Sequence, residues 1–347
     1  MKKNKMMRTA SGVMVATLLT TGVISGTFAK YTTSSDAKDS ARVAKWGVTL
    51  AASGSLYGKK YNGANTNTII QDTKETATVE SAATADDKVI APGTKNENGL
   101  HIQLSGTPEV STKVSAVIRE QNIYLNAGEY GVMEKAVGVT KENFGNRTYY
   151  TKSDAGVYSE ENNFIDDSTD YYVLNDEVSF TGAAYYPVTY TGAGVTGKGT
   201  NDDTLDLIAK NIASKLMANS SAAITGTAGS GEYDGYTVYT VSVDDAKTYA
   251  PNDDLGDALK GVFNSTIGWE WKFGTEGVAT EDDKKDTILG NLMAEAINST
   301  KTVVKKTVTT YTPVEVNKNT GVAKVGQENV ASIHTGLCID VTVDQVD

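Results

Sequence analysis

The sequence predicts a mainly β protein in which a mixed α/β region carrying two helices separates two β-rich ends. Tyrosine outnumbers phenylalanine, 18 to 6, and threonine and valine are abundant, which favours half-buried pleated surfaces. Runs of alternating apolar and polar residues occur near both ends and predict strands with one buried face. Two longer runs instead place their apolar residues at helical spacing.

The first 29 residues have the pattern of a secretory leader. Four basic residues lie within the first eight positions, and an uncharged stretch follows from 9 to 29. Thr27-Phe28-Ala29 fits the small-x-small pattern of a cleavage site, so we expect cleavage between Ala29 and Lys30 and a secreted protein. A membrane anchor is the alternative, but the stretch is rich in threonine and glycine. It falls short of the ~20 strongly apolar residues of a spanning helix.

The first predicted strand covers residues 41–50, with a bulge or bend near residues 44–45 where the alternation changes phase. Its expected sheet-core side chains are Val43, Trp46, Val48 and Leu50. Residues 51–85 are rich in Gly, Asn, Thr and Ala, which predicts a hairpin and loop. Two further strands flank a Gly-Thr-Pro turn, and their alternating apolar residues are Leu100, Ile102, Leu104, Val114, Ala116 and Ile118.

The middle of the chain carries three tyrosine pairs, at 149–150, 171–172 and 185–186, in short strand-like runs. A clearer strand covers residues 237–243. The neighbouring tryptophans, Trp269 and Trp271, are expected in the core rather than on a carbohydrate-binding platform.

Two helices are predicted, over residues 202–217 and 286–297, because leucine and isoleucine recur there every three or four positions. Acidic residues stand in the first turn of each. We interpret them as caps or partners of the helix dipole rather than as ligands.

The C-terminal strand has the cleanest alternation in the chain. Its expected sheet-core residues are Leu337, Ile339, Val341 and Val343. Residues 302–316 form a second alternating ribbon. The early and late strands are therefore predicted to belong to one sheet system. The core would comprise residues 30–118 and 302–347, and residues 119–301 would be an inserted mixed α/β region.

The sequence offers no recognisable catalytic centre, metal site or cofactor motif. His101 and His334 are the only histidines, both expected to face solvent, and no zinc-protease His-Glu-x-x-His run or Gly-x-Ser-x-Gly elbow occurs. The acidic pairs do not follow the spacing of an EF-hand. The net charge of −11 argues against nucleic acid as a partner. Cys338 is the only cysteine, so it cannot form an internal disulfide, and it is expected to be buried.

Several segments resemble the TasA and camelysin (CalY) family of secreted proteins. The most specific is the junction GTFAKY at 26–31, which resembles signal-peptide ends cleaved by a dedicated SipW-type signal peptidase. The segment DSARVAKWGV at 39–48 is similar to the strand that follows in such precursors, and the ending IDVTVDQVD at 339–347 is similar to their terminal strand. IGWEW at 267–271, followed by DTILG at 286–290, also resembles clostridial relatives.

The resemblance implies a jelly-roll-like β-sandwich and a place in the biofilm matrix or at the cell surface. It also implies self-assembly into filaments in which the mature N-terminal segment, residues 30–40, completes the sheet of a neighbour, with matrix companion proteins as further partners. The candidate donor residues are Lys30, Tyr31, Thr32, Thr33 and Ala37. This segment is very polar, and Tyr31 is its only large side chain.

Two other functions are open at this stage. One is a monomeric surface binding module that displays residues 119–301. The other is a secreted camelysin-like metallopeptidase, although the ligands for such chemistry are not evident in the sequence.

Overall fold

The computed structural model describes residues 44–57, 76–82, 90–197, 203–272, 281–294, 301–317, 319–324, 326 and 330–346. The expected leader, the candidate donor segment and Val43 lie outside the described residues. The protein is mainly β, with several antiparallel sheets and three helices among the described residues. The coarse prediction of a mainly β fold is therefore confirmed.

The described strands follow one another from Thr49 to Gln345. In chain order they are β1 (Thr49–Gly54), β2 (Thr76–Ala82), β3 (Lys95–Ser105), β4 (Thr112–Gln121), β5 (Tyr124–Leu125), β6 (Gly128–Lys135), β7 (Tyr149–Lys152), β8 (Tyr158–Glu161), β9 (Tyr171–Gly182), β10 (Val188–Gly192), β11 (Val195–Thr196), β12 (Thr227–Ala228), β13 (Thr237–Val241), β14 (Thr248–Tyr249), β15 (Thr266–Trp271), β16 (Lys301–Thr307), β17 (Thr310–Pro313), β18 (Ala331–Ser332) and β19 (Gly336–Gln345). The helices are α1 (Leu205–Leu216), α2 (Leu255–Ala258) and α3 (Glu281–Ala294), with a 3-10 turn at Gly231–Tyr233.

Two open sheets form the larger part of the fold. Sheet 1 has the order β1-β3-β15-β10-β11, and sheet 2 has the order β12-β13-β4-β19-β2, with β14 also paired to β4. One continuous apolar core includes residues from both sheets and from α1. The helix packs mainly on β4 and β13 and also touches β10.

A buried triangle of hydroxyl groups joins the two sheets. The Tyr57 and Tyr190 hydroxyls lie 2.9 Å apart, and each lies 2.7 Å from Oγ1 of Thr335. Thr335 in turn donates to the carbonyl of Gln121. Tyr190 belongs to sheet 1, whereas Thr335 immediately precedes β19 of sheet 2. Because every hydroxyl has a partner, the triangle avoids the penalty of an unsatisfied buried polar group.

A six-stranded barrel stands beside the open sheets and closes in the order β16-β17-β8-β7-β9-β6. Consecutive tyrosines point to its opposite faces, as side chains along a strand must. Tyr150 belongs to an apolar cluster with Met133, Tyr158, Val304 and Tyr311. Its neighbour Tyr149 instead stacks on Phe144, with ring centroids 5.0 Å apart. The pair at 171–172 divides in the same way, since Tyr171 contacts Phe144 and Tyr172 contacts Tyr158.

Both predicted helices are present with shifted boundaries. The first was expected over 202–217 and is found as α1, and the second was expected from residue 286 but begins at Glu281 as α3. The buried residues of α1 are those of the predicted helical stripe, Leu205, Ile208, Ile212, Ala213 and Leu216, together with Ala209.

The strand predictions were right about alternation and wrong about several partners. Among the described residues the first strand begins at Thr49, with residues 44–48 outside any strand, and the 302–316 ribbon is the hairpin β16–β17. That hairpin joins the barrel, whereas the early strands β2 and β4 pair with β19 in sheet 2. The early strands therefore share a sheet with the last strand, as predicted, but not with the hairpin. Alternation marks a buried face but does not name the neighbouring strand, which is why the sequence could not separate these arrangements.

The proposed boundary at residue 118 falls inside β4, and strands from region 119–301 enter both sheets. Strand β13 pairs with β4, and β15 pairs with β3. Whether residues 119–301 form a unit of their own stays a prediction.

Candidate functional site

A cleft of about 1230 Å³ lies at one end of sheet 2. The end of β4 and residues 122–126 form one part of its wall, and the first turns of α1 form another. The β12–β13 hairpin and two residues of the C-terminal region complete it. The lining residues used below are Glu120, Gln121, Asn122, Tyr124, Asn126, Tyr186, Asp206 and Lys210.

Glu120 is a buried carboxyl group that lines this cleft. It continues the inward-facing row Val114, Ala116 and Ile118 of β4, and only 3% of its surface is exposed. Burial, followed by the nearby carboxylate of Asp206, raises its pKa to about 8. Hydrogen bonding to Thr237 and the charge of Lys210 oppose that rise. At neutral pH the group is therefore mostly protonated and can donate as well as accept a hydrogen bond.

Asn122 links this carboxyl group to the start of α1. Its Nδ2 donates to Oε2 of Glu120, and its Oδ1 accepts from the backbone N–H of Leu205 at 3.0 Å. Thr204 occupies the N-cap position without making a side-chain cap. A residue 83 positions earlier in the chain thus supplies the capping acceptor for this helix.

Asp206 lies in the first turn of α1 and forms a second polar group of the cleft. Its Oδ1 accepts from the Tyr239 hydroxyl, and its Oδ2 lies 2.7 Å from Nζ of Lys210, one helical turn away. The acid was predicted as a cap or dipole partner. It does stand in the first turn, but its side chain also binds a strand tyrosine and a lysine.

A pair of tyrosines supplies an aromatic surface. Tyr124 and Tyr186 are both half-buried, and their ring centroids are 5.8 Å apart at an angle of 36°. The tyrosine pair at 185–186 is split between two environments. Tyr186 lines the cleft, whereas Tyr185 is buried and donates to Oδ1 of Asp286 at 2.9 Å.

Gln121, which also lines the cleft, carries a buried and unsatisfied acceptor. It is only 3% exposed, and its Nε2 donates to the carbonyl of Thr320. Its Oε1 accepts no hydrogen bond from the part of the chain that the structure describes. Buried polar atoms of folded proteins nearly always have a partner, so an atom of this kind calls for a ligand or a water molecule.

The opposite wall depends on two glycines. A Cβ at Gly226 would collide with Thr237 and the ring of Tyr239, and one at Gly229 would collide with the carbonyl of Tyr233. Glycine therefore allows this segment to lie close against β13 and form the rim of the cleft.

A second feature is the pair of terminal strands, β1 of sheet 1 and β2 of sheet 2, which lie beside each other. Within the described residues, β2 pairs with β19 alone. Its sequence, TATVESA, contains neither lysine nor proline, two residues that commonly protect sheet edges. We call this feature the β1–β2 edge.

The segment that precedes β1 is held at Lys45. The carbonyl of Lys45 accepts from the N–H of Glu109 at 2.9 Å, and its own N–H donates to Oε2 of Glu109 at 2.9 Å. Glu109 lies in the connection between β3 of sheet 1 and β4 of sheet 2. This contact fixes the point at which the chain enters the two-sheet body.

The residues predicted for the sheet core lie in two places. Trp46 and Val48 precede β1 and are half-buried against the main core. The others for which the structure describes side chains are buried in β1 and β19, namely Leu50, Leu337, Ile339, Val341 and Val343. Cys338 and both tryptophans of β15 are also buried, as expected.

The two histidines do not simply face solvent. His101 is half-buried in β3, and the ring of His334 packs where a Cβ at Gly321 would collide with it. Burial lowers the pKa of His334. Among the described residues, no three His, Cys, Asp or Glu side chains are grouped to hold a metal ion.

The cleft was missed in the sequence, although one signal for it was present. The apolar residues on one face of β4 are Val114, Ala116 and Ile118, and the next position on that face is Glu120. A carboxyl group at a position that should face the core breaks the apolar pattern, and such a break marks a buried polar site. The other walls come from distant parts of the chain, and no local pattern brings them together.

None of the helices in the described ranges is long and apolar enough to span a bilayer. No protein-family model, curated protein or solved structure matches the chain. The resemblance to the TasA and camelysin family therefore stays a prediction that depends on the segments quoted above.

Proposed function

We propose that this protein is a secreted structural subunit of a biofilm-matrix or cell-surface fibre, without enzymatic activity. Subunits would join when residues 30–40 of one copy add as a strand to a sheet edge of the next. The observation that supports this most directly is the β1–β2 edge, where β2 is the terminal strand of sheet 2 among the described residues and contains no lysine or proline. Such an edge offers backbone N–H and C=O groups to an incoming strand.

The dimensions are compatible with strand addition. Seven residues of β2 extend about 23 Å, and eleven donor residues extend about 36 Å at the usual rise per residue. The donor is therefore long enough to cover the whole edge. A contact between two different surfaces, repeated from copy to copy, gives an open filament rather than a closed ring.

Two further elements belong to this proposal. A SipW-type signal peptidase would cleave between Ala29 and Lys30, because only cleavage frees the donor segment. The two open sheets would form a jelly-roll-like sandwich, which their common core and the Tyr57–Tyr190–Thr335 triangle support. The TasA and camelysin resemblance, with matrix companion proteins as further partners, fits the same picture.

Electron microscopy of the chain beginning at Lys30 tests the proposal. We expect filaments from the intact form and none from a form that lacks residues 30–40, while circular dichroism remains β-rich in both. Filaments that persist without residues 30–40 would exclude the donor role.

A pair of lysine variants tests the acceptor edge. Thr78→Lys with Glu80→Lys places two positive charges on β2 and should prevent assembly, because lysine on an edge disfavours strand addition. The matched control is Thr307→Lys with Thr309→Lys, at exposed positions of the barrel hairpin, which should assemble normally. Equal assembly of the two double variants would exclude β2 as the acceptor.

The cleft favours a second candidate function, a monomeric surface binding module. Size-exclusion chromatography over a range of concentrations separates the two. A binding module stays monomeric, whereas a fibre subunit leaves the monomer peak as concentration rises.

A further inference from the structure

We propose that the cleft at the end of sheet 2 binds a neutral oligosaccharide. This site is separate from the β1–β2 edge, since its walls are the end of β4, the start of α1 and the β12–β13 hairpin. Ligand binding there does not depend on fibre assembly.

The size of the cleft favours a ligand of several sugar units. Its volume of about 1230 Å³ exceeds the roughly 300–1,000 Å³ that is usual for small-molecule sites. The rim contains the backbone of Gly226 and Gly229, where no side chain narrows the entrance.

The aromatic surface suits a pyranose ring. One face of a sugar ring consists largely of C–H groups, and these pack on the faces of tyrosine rings, which have an apolar body and a polar tip. Tyr124 and Tyr186 supply two such rings that are half-buried rather than closed off by the core.

The hydrogen-bonding groups match hydroxyl groups, which both donate and accept. Gln121 Oε1 is a buried acceptor that receives no donor from the described residues. Asn126, Tyr124 and Tyr186, whose side chains carry an amide and two hydroxyl groups, line the same space. None of these three side chains hydrogen-bonds to another described residue. Protonated Glu120 adds a donor at neutral pH, since burial raises its pKa to about 8.

The charges in the cleft argue against an ionic ligand. Lys210 is the only basic side chain among the described residues of the lining, and its charge is matched by Asp206 at 2.7 Å. A phosphate or sulfate group would therefore find no unmatched cation. A cationic ligand would find Glu120 mostly uncharged and, beyond the Asp206–Lys210 pair, a single lining carboxylate, that of the exposed Asp234 in the β12–β13 hairpin, among the described residues.

Titration with three soluble tetrasaccharides, cellotetraose, maltotetraose and N-acetylchitotetraose, tests the proposal. We expect at least one to bind the full mature chain with a dissociation constant of ~1 mM or tighter by calorimetry. Raising sodium chloride to about 0.5 M should leave the affinity unchanged, because the ligand is neutral. Binding of none of the three would overturn the proposal, and so would binding of spermidine in their place.

Variants of two tyrosines locate the site. Tyr186→Ala should weaken binding at least ~10-fold, because it removes one of the two stacking rings. Tyr172→Ala is the matched control, since Tyr172 is also half-buried and also pairs with another tyrosine, but it lies in the barrel. It should bind as the unaltered protein does. Equal affinities in two folded variants would overturn the assignment.

Hydrogen exchange of the unaltered protein keeps the assignment testable if a variant fails to fold. The bound tetrasaccharide should slow exchange at residues 122–126 and 226–229 and leave the barrel strands unchanged. Protection confined to other regions would place the ligand elsewhere and contradict the proposal.

Discussion

The barrel and the cleft both gather tyrosines but use them in different ways. In the barrel, Tyr150, Tyr158 and Tyr311 are buried in an apolar cluster, and the ring of six strands is closed. At the cleft, Tyr124 and Tyr186 remain half-buried beside a buried acid and an unsatisfied amide oxygen. In the closed barrel the strands hydrogen-bond to one another all the way round. The open sheets instead keep terminal strands and polar groups that can bind another molecule.

The largest expected effect comes from the buried acid of the cleft. The pKa of Glu120 is about 8 in the folded protein and 4.5 as its ordinary value. Between these values the folded state holds a proton that the unfolded state releases, so stability falls as pH rises from 4.5 to 8. Glu120→Gln removes this dependence. Its stability relative to the unaltered protein should rise by several kcal/mol across the window, at about 1.4 kcal/mol per pKa unit.

Urea unfolding at half-unit steps of pH measures this difference directly. Parallel stability curves for the two proteins between pH 4.5 and 8 would show that Glu120 is not a buried, protonated group.

Asn122→Ala should have the next largest effect. The change removes the cap of α1 and leaves Glu120 Oε2 without its amide donor, which together cost about 2 kcal/mol. Asn126→Ala, in the same cleft, should change the free energy of unfolding by less than ~0.5 kcal/mol. Equal losses in denaturant unfolding of the two variants would contradict the double role of Asn122.

A second carboxyl group, on the barrel side of the molecule, sharpens the pH comparison. Asp286 of α3 accepts from the Tyr185 hydroxyl at 2.9 Å and from Nε1 of Trp271 at 3.1 Å, and burial raises its pKa to about 6. The stability that protonated Asp286 contributes to the folded state is therefore lost as the pH rises from 3.8 to 6.

Asp286→Asn should remove a dependence of about 1 kcal/mol, because this carboxyl group is only partly buried and water screens it. Thermal unfolding at pH 4, 6 and 8 checks the result. A change that appears only above pH 6 would contradict the assignment.

The smallest effect concerns single hydroxyl groups. Tyr190→Phe removes one corner of the buried triangle and should destabilise the protein by about 1 kcal/mol. Tyr158→Phe alters an equally buried tyrosine of the barrel, whose hydroxyl bonds to no other described residue. It should change stability by less than ~0.5 kcal/mol. Equal midpoints in guanidinium unfolding would show that the triangle contributes little.

Sequence patterns predicted the strands that bury one face and missed the features that depend on distant contacts. Strands β3, β4, β13 and β19 follow the predicted alternation because one face of each is packed. The β16–β17 hairpin was missed because its turn lacks a glycine, proline or asparagine. Val308 adopts a φ of +54° there, which a β-branched residue rarely does.

The cleft illustrates the same limit. Alternation along β4 places Glu120 inside, where burial raises its pKa most, but the further rise from Asp206 comes from a residue 86 positions later in the chain. Asn122 caps a helix that begins at Leu205. Neither pairing leaves a local sequence pattern, since each depends on how β4 meets α1 in the folded protein.

Hydrogen exchange of β2 before and after assembly tests strand addition most directly. In the monomer the outer backbone groups of residues 76–82 should exchange readily, and in filaments the incoming strand should protect them. Filaments in which residues 76–82 exchange as fast as in the monomer would contradict assembly through this edge.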